Sequence, residues 1–307
     1  MLPITVFTPT YNRAHTLRRL YKSLIIQDHT LFEWLVIDDG SNDNTQDLLK
    51  ELKIESPFPM RWIYKENGGK HRAHNVAVKM AKGELTIIMD SDDAFTENAI
   101  SVLWEEWQSI PKHDQNNYAG IWGNCVDHDG QIFGEPFPRD RMDGKIFSLT
   151  NSGQLVGEKL PCFRTDILRH FPFPVLPGNS EYVPEGIVWL LISEKHMIRF
   201  INYSVRVYHQ DIFDKDSLLN KTRNPLTGAW GKMIYCITCI NLFENYFPKI
   251  FIIFIKMGIN ISRYGYHAKI RKMVQLTLIK NIITRLIWLF FLPFGFIMYK
   301  KDKFHFR

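Results

Sequence analysis

Cysteine is scarce: four in 307 residues, Cys125, Cys162, Cys236 and Cys239, too few and too scattered to staple a small scaffold. That excludes a disulfide framework and fits a reducing compartment. Cys236 and Cys239 stand three apart in the apolar stretch KMIYCITCINLF, and a structural zinc would ask for two further ligands, so their spacing reads as packing. A secretory leader is lacking as well, since MLPITVFTPTYN has neither a basic start nor a long apolar run, and the body is expected in the cytosol. Acid is missing from the C-terminal segment. Residues 246–307 hold twelve Lys or Arg and one acid, Asp302, so they carry +11 and residues 1–245 carry −5 of the net +6. Long uninterrupted apolar runs are lacking too: the cleanest, residues 282–299, contains Arg285 and Pro293 and falls short of the about 20 residues that a spanning helix wants. Trp, Phe and Leu beside Lys280, Arg285, Lys300, Lys301 and Lys303 suit helices lying in a membrane interface against anionic lipid headgroups. A true span and an amphipathic subdomain packed on the body are the alternatives.

What remains is an ordinary globular composition, 45% hydrophobic and 23% charged. The apolar runs ITVFT, EWLVID, MRWIY and ELTIIM alternate with helical patterns: Leu17, Leu20, Tyr21 and Leu24, then TQDLLKEL, then HRAHNVAVKMA. Repeated β-α-β units predict an α/β fold, a mostly parallel sheet flanked by helices, with ligands taken beyond the carboxyl ends of the strands. Three strands deliver polar clusters to that edge: TPTYNR after the first, DDGSND after the second and DSDD after the fourth.

Each cluster has a local explanation. Thr10 or Asn12 could cap the next helix, Thr45 the one after, and Asp93 or Thr96 the helix suggested by TENAISVLWEEW. Capping leaves the other residues unexplained. Tyr11 and Arg13 suit a base and a phosphate, and Asp38 and Asp39 suit an imide or ribose hydroxyls. GGKHRAHN offers backbone N–H groups with Lys70 and Arg72 to an anion. Asp90, Asp92 and Asp93 repel one another unless a cation compensates, and hard oxygens suit a divalent metal.

FTPTYNRAHTLRRLYKSL, WLVIDDGSNDNT and GELTIIMDSDD, in this order and spacing, resemble the nucleotide-sugar half of the family 2 glycosyltransferases with the GT-A fold, over residues 3–100. The resemblance implies a GT-A-like catalytic domain over residues 1–222, with 1–100 binding the nucleotide sugar and 101–222 the acceptor, followed by a basic, apolar, helical membrane-associating region over 223–307. It implies a nucleoside diphosphate-sugar donor, a UDP-sugar foremost, with Thr8, Tyr11 and Asp39 around the base and Asp92 on the ribose. Arg13, Lys70, Arg72 and Asn75 complete the donor set, and Asp93 ligates Mn²⁺ or Mg²⁺ on the pyrophosphate. In the family a carboxylate, usually one of an acidic pair, stands about four residues before a Trp and acts as base. Glu181 and Glu185 are the candidates. Glu185 stands four before Trp189, although Pro184 replaces its acidic neighbour. Arg206, His209 and Asp211 would close the donor site, His209 as a third metal ligand. The implied reaction is an inverting hexosyl transfer to a lipid-linked or oligosaccharide acceptor in cell-surface polysaccharide assembly, by a peripheral or monotopic protein on the cytoplasmic face of the plasma membrane. Anionic membrane lipids, and no nucleic acid, are its other expected partners. The alternative is a nucleotide-binding scaffold subunit without turnover, against which Asp39, Asp92, Asp93 and Glu185 all count.

Overall fold

The apolar runs become the middle of one sheet. The computed structural model describes residues 2–175, 182–209, 224–244 and 250–306. Its first part is a regular alternation: β1 (Leu2–Thr10), α1 (Ala14–Ile25), β2 (Phe32–Asp38), α2 (Thr45–Glu55), β3 (Met60–Tyr64), α3 (Lys70–Met80) and β4 (Gly83–Ile88). Each strand–helix–strand crossover returns the chain in the same direction, so β3-β2-β1-β4 is parallel. Residue parity divides the two faces. Ile4, Val6, Trp34, Val36, Leu85 and Ile87 meet Leu17, Leu20 and Leu24 of α1 and Leu49 and Leu52 of α2 in one core, while Phe7 on the opposite face packs its ring on His74 of α3 at 5.8 Å.

Beyond β4 come β5 (Ala94–Phe95), α4 (Ala99–Gln108), β6 (Tyr118–Val126), β7 (Arg141–Gly144), α5 (Ile146–Asn151), β8 (Lys159–Arg164), α6 (Thr165–His170), α7 (Gly186–Lys195) and β9 (Met197–Val207). The described strands form one sheet in the order β3-β2-β1-β4-β8-β6-β9-β5, with β7 also on β9. Here β8 runs antiparallel to β4 and β6, and β5 and β7 run antiparallel to β9, so the sheet is mixed. Parallel pairing returns beyond the β-α-β repeat, where β6 and β9 run in the same direction.

Burial also creates a polar lock under the first strands. Glu33 is 2% exposed and accepts hydrogen bonds from Thr5 Oγ1 at 2.8 Å, Lys82 N at 2.9 Å and both Nε and Nη2 of Arg61 at 3.0 and 2.9 Å. Glu33→Ala leaves those donors without a partner. It is expected to lower unfolding free energy in urea by about 2–3 kcal/mol, less than for a fully buried pair because Arg61 keeps some water.

The chain divides into two compact units, Met1–Pro172 with Ile192–Asp211, and Phe173–Leu191 with Ile212–Arg307. The segment around Glu185, within the expected acceptor half at 101–222, groups with the C-terminal helices.

Those helices are α8 (Ala229–Leu242), α9 (Phe251–His267), α10 (Lys272–Leu278) and α11 (Ile282–His305). Cys236 and Cys239 are buried thiols of α8, and burial pushes Cys239 up to about 12. α9 and α11 run side by side in the same direction, because Gly258 lies by Trp288, Ser262 by Gly295, and Arg263 and His267 by Asp302. The approach is close: a Cβ on Gly295 would stand 2.4 Å from the Ser262 Cβ and 2.7 Å from the Ile259 carbonyl oxygen. Asp302 takes both arms of Arg263 at 2.6 Å and faces His267 Nε2 at 2.9 Å, which carries helix α11 past Tyr299 to His305. The pattern on α11 is inside out. Thr284, Trp288, Gly295 and Asp302 are buried, whereas Ile283, Leu286, Phe290, Phe294 and Ile297 are exposed. By length and composition α11 is long and apolar enough to cross a membrane, and only 17% of its most apolar window is buried.

Candidate functional site

The carboxyl ends of β1, β2 and β4 lie side by side, with Thr10 paired to Asp38 and Phe7 to Ile88. The polar residues that follow are knit to one another rather than to their own helices. Asn12, in the left-handed region at φ 54°, donates from its backbone N to Ser41 Oγ and accepts from Asn42 N, each at 2.8 Å. Arg13 N donates to Thr45 Oγ1 at 3.0 Å, and Asp43 accepts from Thr45 N and Ala14 N at 3.0 and 3.3 Å. The capping expectations for Thr10, Asn12 and Thr45 are thus corrected: α1 and α2 have no side-chain cap from their N-cap residues, and Asn12 and Thr45 fasten the first loop to the second, while the Thr10 hydroxyl makes neither bond. Likewise α4 starts at Asn98 without a side-chain cap, Thr96 Oγ1 donates to the Ser204 carbonyl at 2.6 Å, and Asp93 is used elsewhere.

Asp39 is buried and holds the loop before α3. Its carboxylate accepts from Gly68 N at 3.1 Å, Gly69 N at 2.7 Å and Lys65 Nζ, and its carbonyl accepts from Asn67 Nδ2 at 2.9 Å. The loop passes so near that a Cβ on Gly40, at φ 86°, would be 2.7 Å from Asn67 N. Lys70, Arg72 and Asn75 then occupy the first turns of α3. Thr8 stands differently: it is wholly buried, and its hydroxyl accepts from Trp34 Nε1 at 3.0 Å, so it supports Trp34 beneath the edge. Tyr11 sits half-buried in the loop after β1.

After β4 the three acids each meet a cation. Asp90 pairs with Lys70 Nζ at 2.5 Å, Asp92 lies 3.9 Å from Arg13 Nη2, and Asp93 lies 3.4 Å from Arg206 Nη1. Asp93 also accepts from His209 N at 2.9 Å. Arg206 is buried and reaches Asp90 at 4.0 Å and Glu158 at 3.3 Å as well. The cations act unevenly: against its burial, Lys70 and Arg206 hold Asp90 below the usual carboxylate range. Burial pushes Asp93 up to about 7 despite Arg206, with Asp90 and Asp92 adding to the rise, and burial with Asp90 raises Asp92. The His209 ring is held below the usual histidine range by burial and by Arg19 and His128, which leaves it neutral and able to ligate. Among the described residues no group of three or more His, Cys, Asp or Glu is assembled to hold a metal.

Several buried polar atoms at this edge have no hydrogen-bond partner in the protein: Thr10 Oγ1, Asp38 Oδ2 and both ring nitrogens of His71, while Asp93 Oδ2 has only the ion pair with Arg206. Such atoms are uncommon in folded chains and ask for a ligand, an ion or water. Lys65, Asn67, His71 and Glu158 were not singled out from the sequence. KENGG following MRWIY at the same edge is the signal that could have marked the first two.

Glu185 belongs to the other unit. It immediately precedes α7, and its carbonyl accepts from Val188 N at 3.0 Å and Trp189 N at 3.2 Å. Pro184, where the family's second acid would stand, faces α8: its Cδ lies 3.2 Å from the place of a Cβ on Gly231. Glu181 and Asp211 lie outside the described residues.

The chain is 33% identical over 200 residues to an uncharacterized glycosyltransferase of Rickettsia conorii, covering 64% of this chain and 31% of that protein. It therefore spans under a third of that relative. The GalNAc(5)-diNAcBac-PP-undecaprenol beta-1,3-glucosyltransferase of Campylobacter jejuni is 28% identical over 231 residues, 71% of this chain and 67% of that protein. Among solved structures, Staphylococcus aureus TarS 1-349 in complex with UDP superposes with a TM-score of 0.59 at 15% identity, over 98% of this chain and 92% of the other. The mannosyltransferase PcManGT from Pyrobaculum calidifontis in complex with GDP-Man and Mn²⁺ gives 0.56 at 17% identity, over 99% and 88%. These two share the fold. The family model described as glycosyl transferase family 2 matches residues 5–165, which hold all three strand-end clusters and more than half of the sequence, and the chain belongs to that family.

Proposed function

We propose that this chain is an inverting glycosyltransferase that moves a sugar from a nucleoside diphosphate-sugar, a UDP-sugar foremost, to a lipid-linked or oligosaccharide acceptor in cell-surface glycan assembly. One observation carries the reading: three carboxylates, Asp90, Asp92 and the buried Asp93, follow β4 at the sheet edge, and burial with its two neighbours pushes Asp93 up to about 7 although Arg206 lies 3.4 Å from it. The relative named for an undecaprenol-linked acceptor supports the acceptor class, and the UDP complex of a structural neighbour supports the donor.

The donor set fits a hard divalent cation. Carboxylate oxygens are the donors at the strand end, and Mg²⁺ or Mn²⁺ commonly takes one or two carboxylates and lets substrate phosphates complete its shell. Asp93, with His209, would hold it, and the bound cation supplies neutralisation of the departing diphosphate. The protein's own groups do the rest. Tyr11 offers a ring to the base, and Asp39 fixes the Gly68–Gly69 loop so that α3 presents Lys70, Arg72 and Asn75. Arg13 keeps Asp92 placed for the ribose. Glu185 accepts the acceptor hydroxyl proton as that oxygen bonds to the anomeric carbon, and the bond from that carbon to the diphosphate breaks with its electron pair leaving on the diphosphate. Attack from the opposite side inverts the configuration. The exposed apolar face of α11 supports work at a membrane surface, in this reading the cytoplasmic face of the plasma membrane.

The test is calorimetry of UDP and GDP with and without Mn²⁺, followed by nucleotide release from a panel of UDP- and GDP-sugars in the presence of membrane lipids. Mn²⁺ is expected to tighten nucleoside diphosphate binding in the native protein. It should have no effect on Asp93→Asn, which keeps an oxygen for His209 N but loses the anionic ligand. Full turnover in EDTA refutes the metal assignment, and tight binding with no turnover for any donor returns the scaffold reading.

A further inference from the structure

Glu185 is held in place by the helix that follows it in the same unit. Residues Gly228, Gly231 and Tyr235 recur at helical spacing along one side of the first turns of α8. All three press on the short segment that carries Glu185. A Cβ on Gly228 would be 2.7 Å from the Tyr182 carbonyl oxygen, and one on Gly231 would be 2.6 Å from that oxygen and 3.0 Å from the Val183 Cα. Tyr235 closes the seam from the other end, its ring edge 2.9 Å from the place of a Cβ on Gly186. The contact is backbone on backbone, so it leaves no flexible side chain to absorb a displacement. Trp189 is seated in the same unit, its ring edge-on to Phe173 at 5.9 Å.

From this we infer that α8 is a positioning element for the catalytic base, with Gly231 its principal residue and Tyr235 its second. The inference rests on the reading of Glu185 as base. It gives the C-terminal unit a part in the chemistry, because the helices that carry the apolar face of α11 and the seat of Glu185 belong to one compact body.

The experiment is a double-mutant cycle in the full-length protein. Turnover is read as UDP release from the UDP-sugar that the native protein hydrolyses fastest, with water standing in for the acceptor, and repeated with extracted membrane lipids. Gly231→Ala is expected to lower kcat by about 10- to 100-fold with the donor KM unchanged, since a displacement of about an ångström at a reacting group has that effect. In the Glu185→Gln background the same substitution is expected to cost almost nothing, because the group it displaces has already lost its function. Tyr235→Phe, which keeps the ring edge on Gly186, is expected to recover most of the turnover lost in Tyr235→Ala, and this pair serves if Gly231→Ala fails to fold. Equal losses in both backgrounds, or a raised KM with kcat intact, overturn the positioning role. Loss of the base reading itself shows separately, as native turnover in Glu185→Gln alone.

Discussion

Glu185→Gln is expected to lower turnover by about 10²- to 10⁴-fold, the range for loss of a general base, while nucleotide affinity stays at the native value. The amide keeps the size of the carboxyl and cannot accept the proton of the incoming hydroxyl. Nucleotide affinity is spared because a base acts on the acceptor hydroxyl, whereas Asp39, Lys70, Asp90, Asp92 and Asp93 are the groups read as holding the donor. Uniform binding and transition-state stabilisation therefore separate: Kd for UDP by calorimetry is constant and kcat falls. Asp93→Asn should behave in the opposite sense, changing the metal dependence of UDP binding as well as turnover. If Glu181→Gln reproduces the loss and Glu185→Gln does not, the base is Glu181.

The first hundred residues were legible because their order is local. Each apolar run is one strand, each helical pattern one crossover, and a parallel sheet follows from chain geometry alone. The chemistry at the strand ends was legible as residue type, since three acids after β4 exceed what a turn needs. Their partners were less so. Arg206 stands 113 positions from Asp93 in the chain and meets it only because β5 pairs with β9. Cap assignments failed for a related reason: Thr45 and Asn12 can bond the N–H groups of their own helix or of a neighbouring loop, and residue type does not distinguish these. The grouping of Glu185 with the C-terminal helices was not legible, because adjacency in sequence suggested that it goes with the sheet. The seam of Gly228 and Gly231 that binds it to α8 looks, in sequence, like an ordinary helix start. In α11 the apolar positions were visible, but a period of 3.6 does not say which side is covered.

That covered side decides the second large effect. Replacing Leu286 and Phe290 together by Asp is expected to release the protein from anionic liposomes, with its melting temperature and UDP affinity unchanged. Both side chains are exposed, at 59% and 71%, on the face away from α9, so the pair makes little contribution to packing within the unit. In an interface each large apolar side chain adds about 1.5–3 kcal/mol on burial, so losing two weakens partitioning by about 10²- to 10⁴-fold before the cost of the new charges. Each Lys or Arg near an anionic surface adds about 1 kcal/mol, decaying within a Debye length of about 8 Å at physiological salt. High salt should thus release the native protein partly, and detergent fully. The geometry favours lying in the interface over crossing it. Because α9 and α11 run in the same direction, the chain must return between them through residues 268–281, which carry Lys269, Arg271, Lys272 and Lys280. A crossing by α11 with α9 beside it would draw those charges through hydrocarbon, at about 2.5–3.5 kcal/mol each at the centre of the bilayer. A surface-bound pair leaves them in the headgroups, and the inside-out pattern of α11 then turns Leu286, Phe290, Phe294 and Ile297 to the acyl chains. Flotation with anionic liposomes decides it: native protein that stays in the soluble fraction removes the membrane role and leaves the exposed face without a partner.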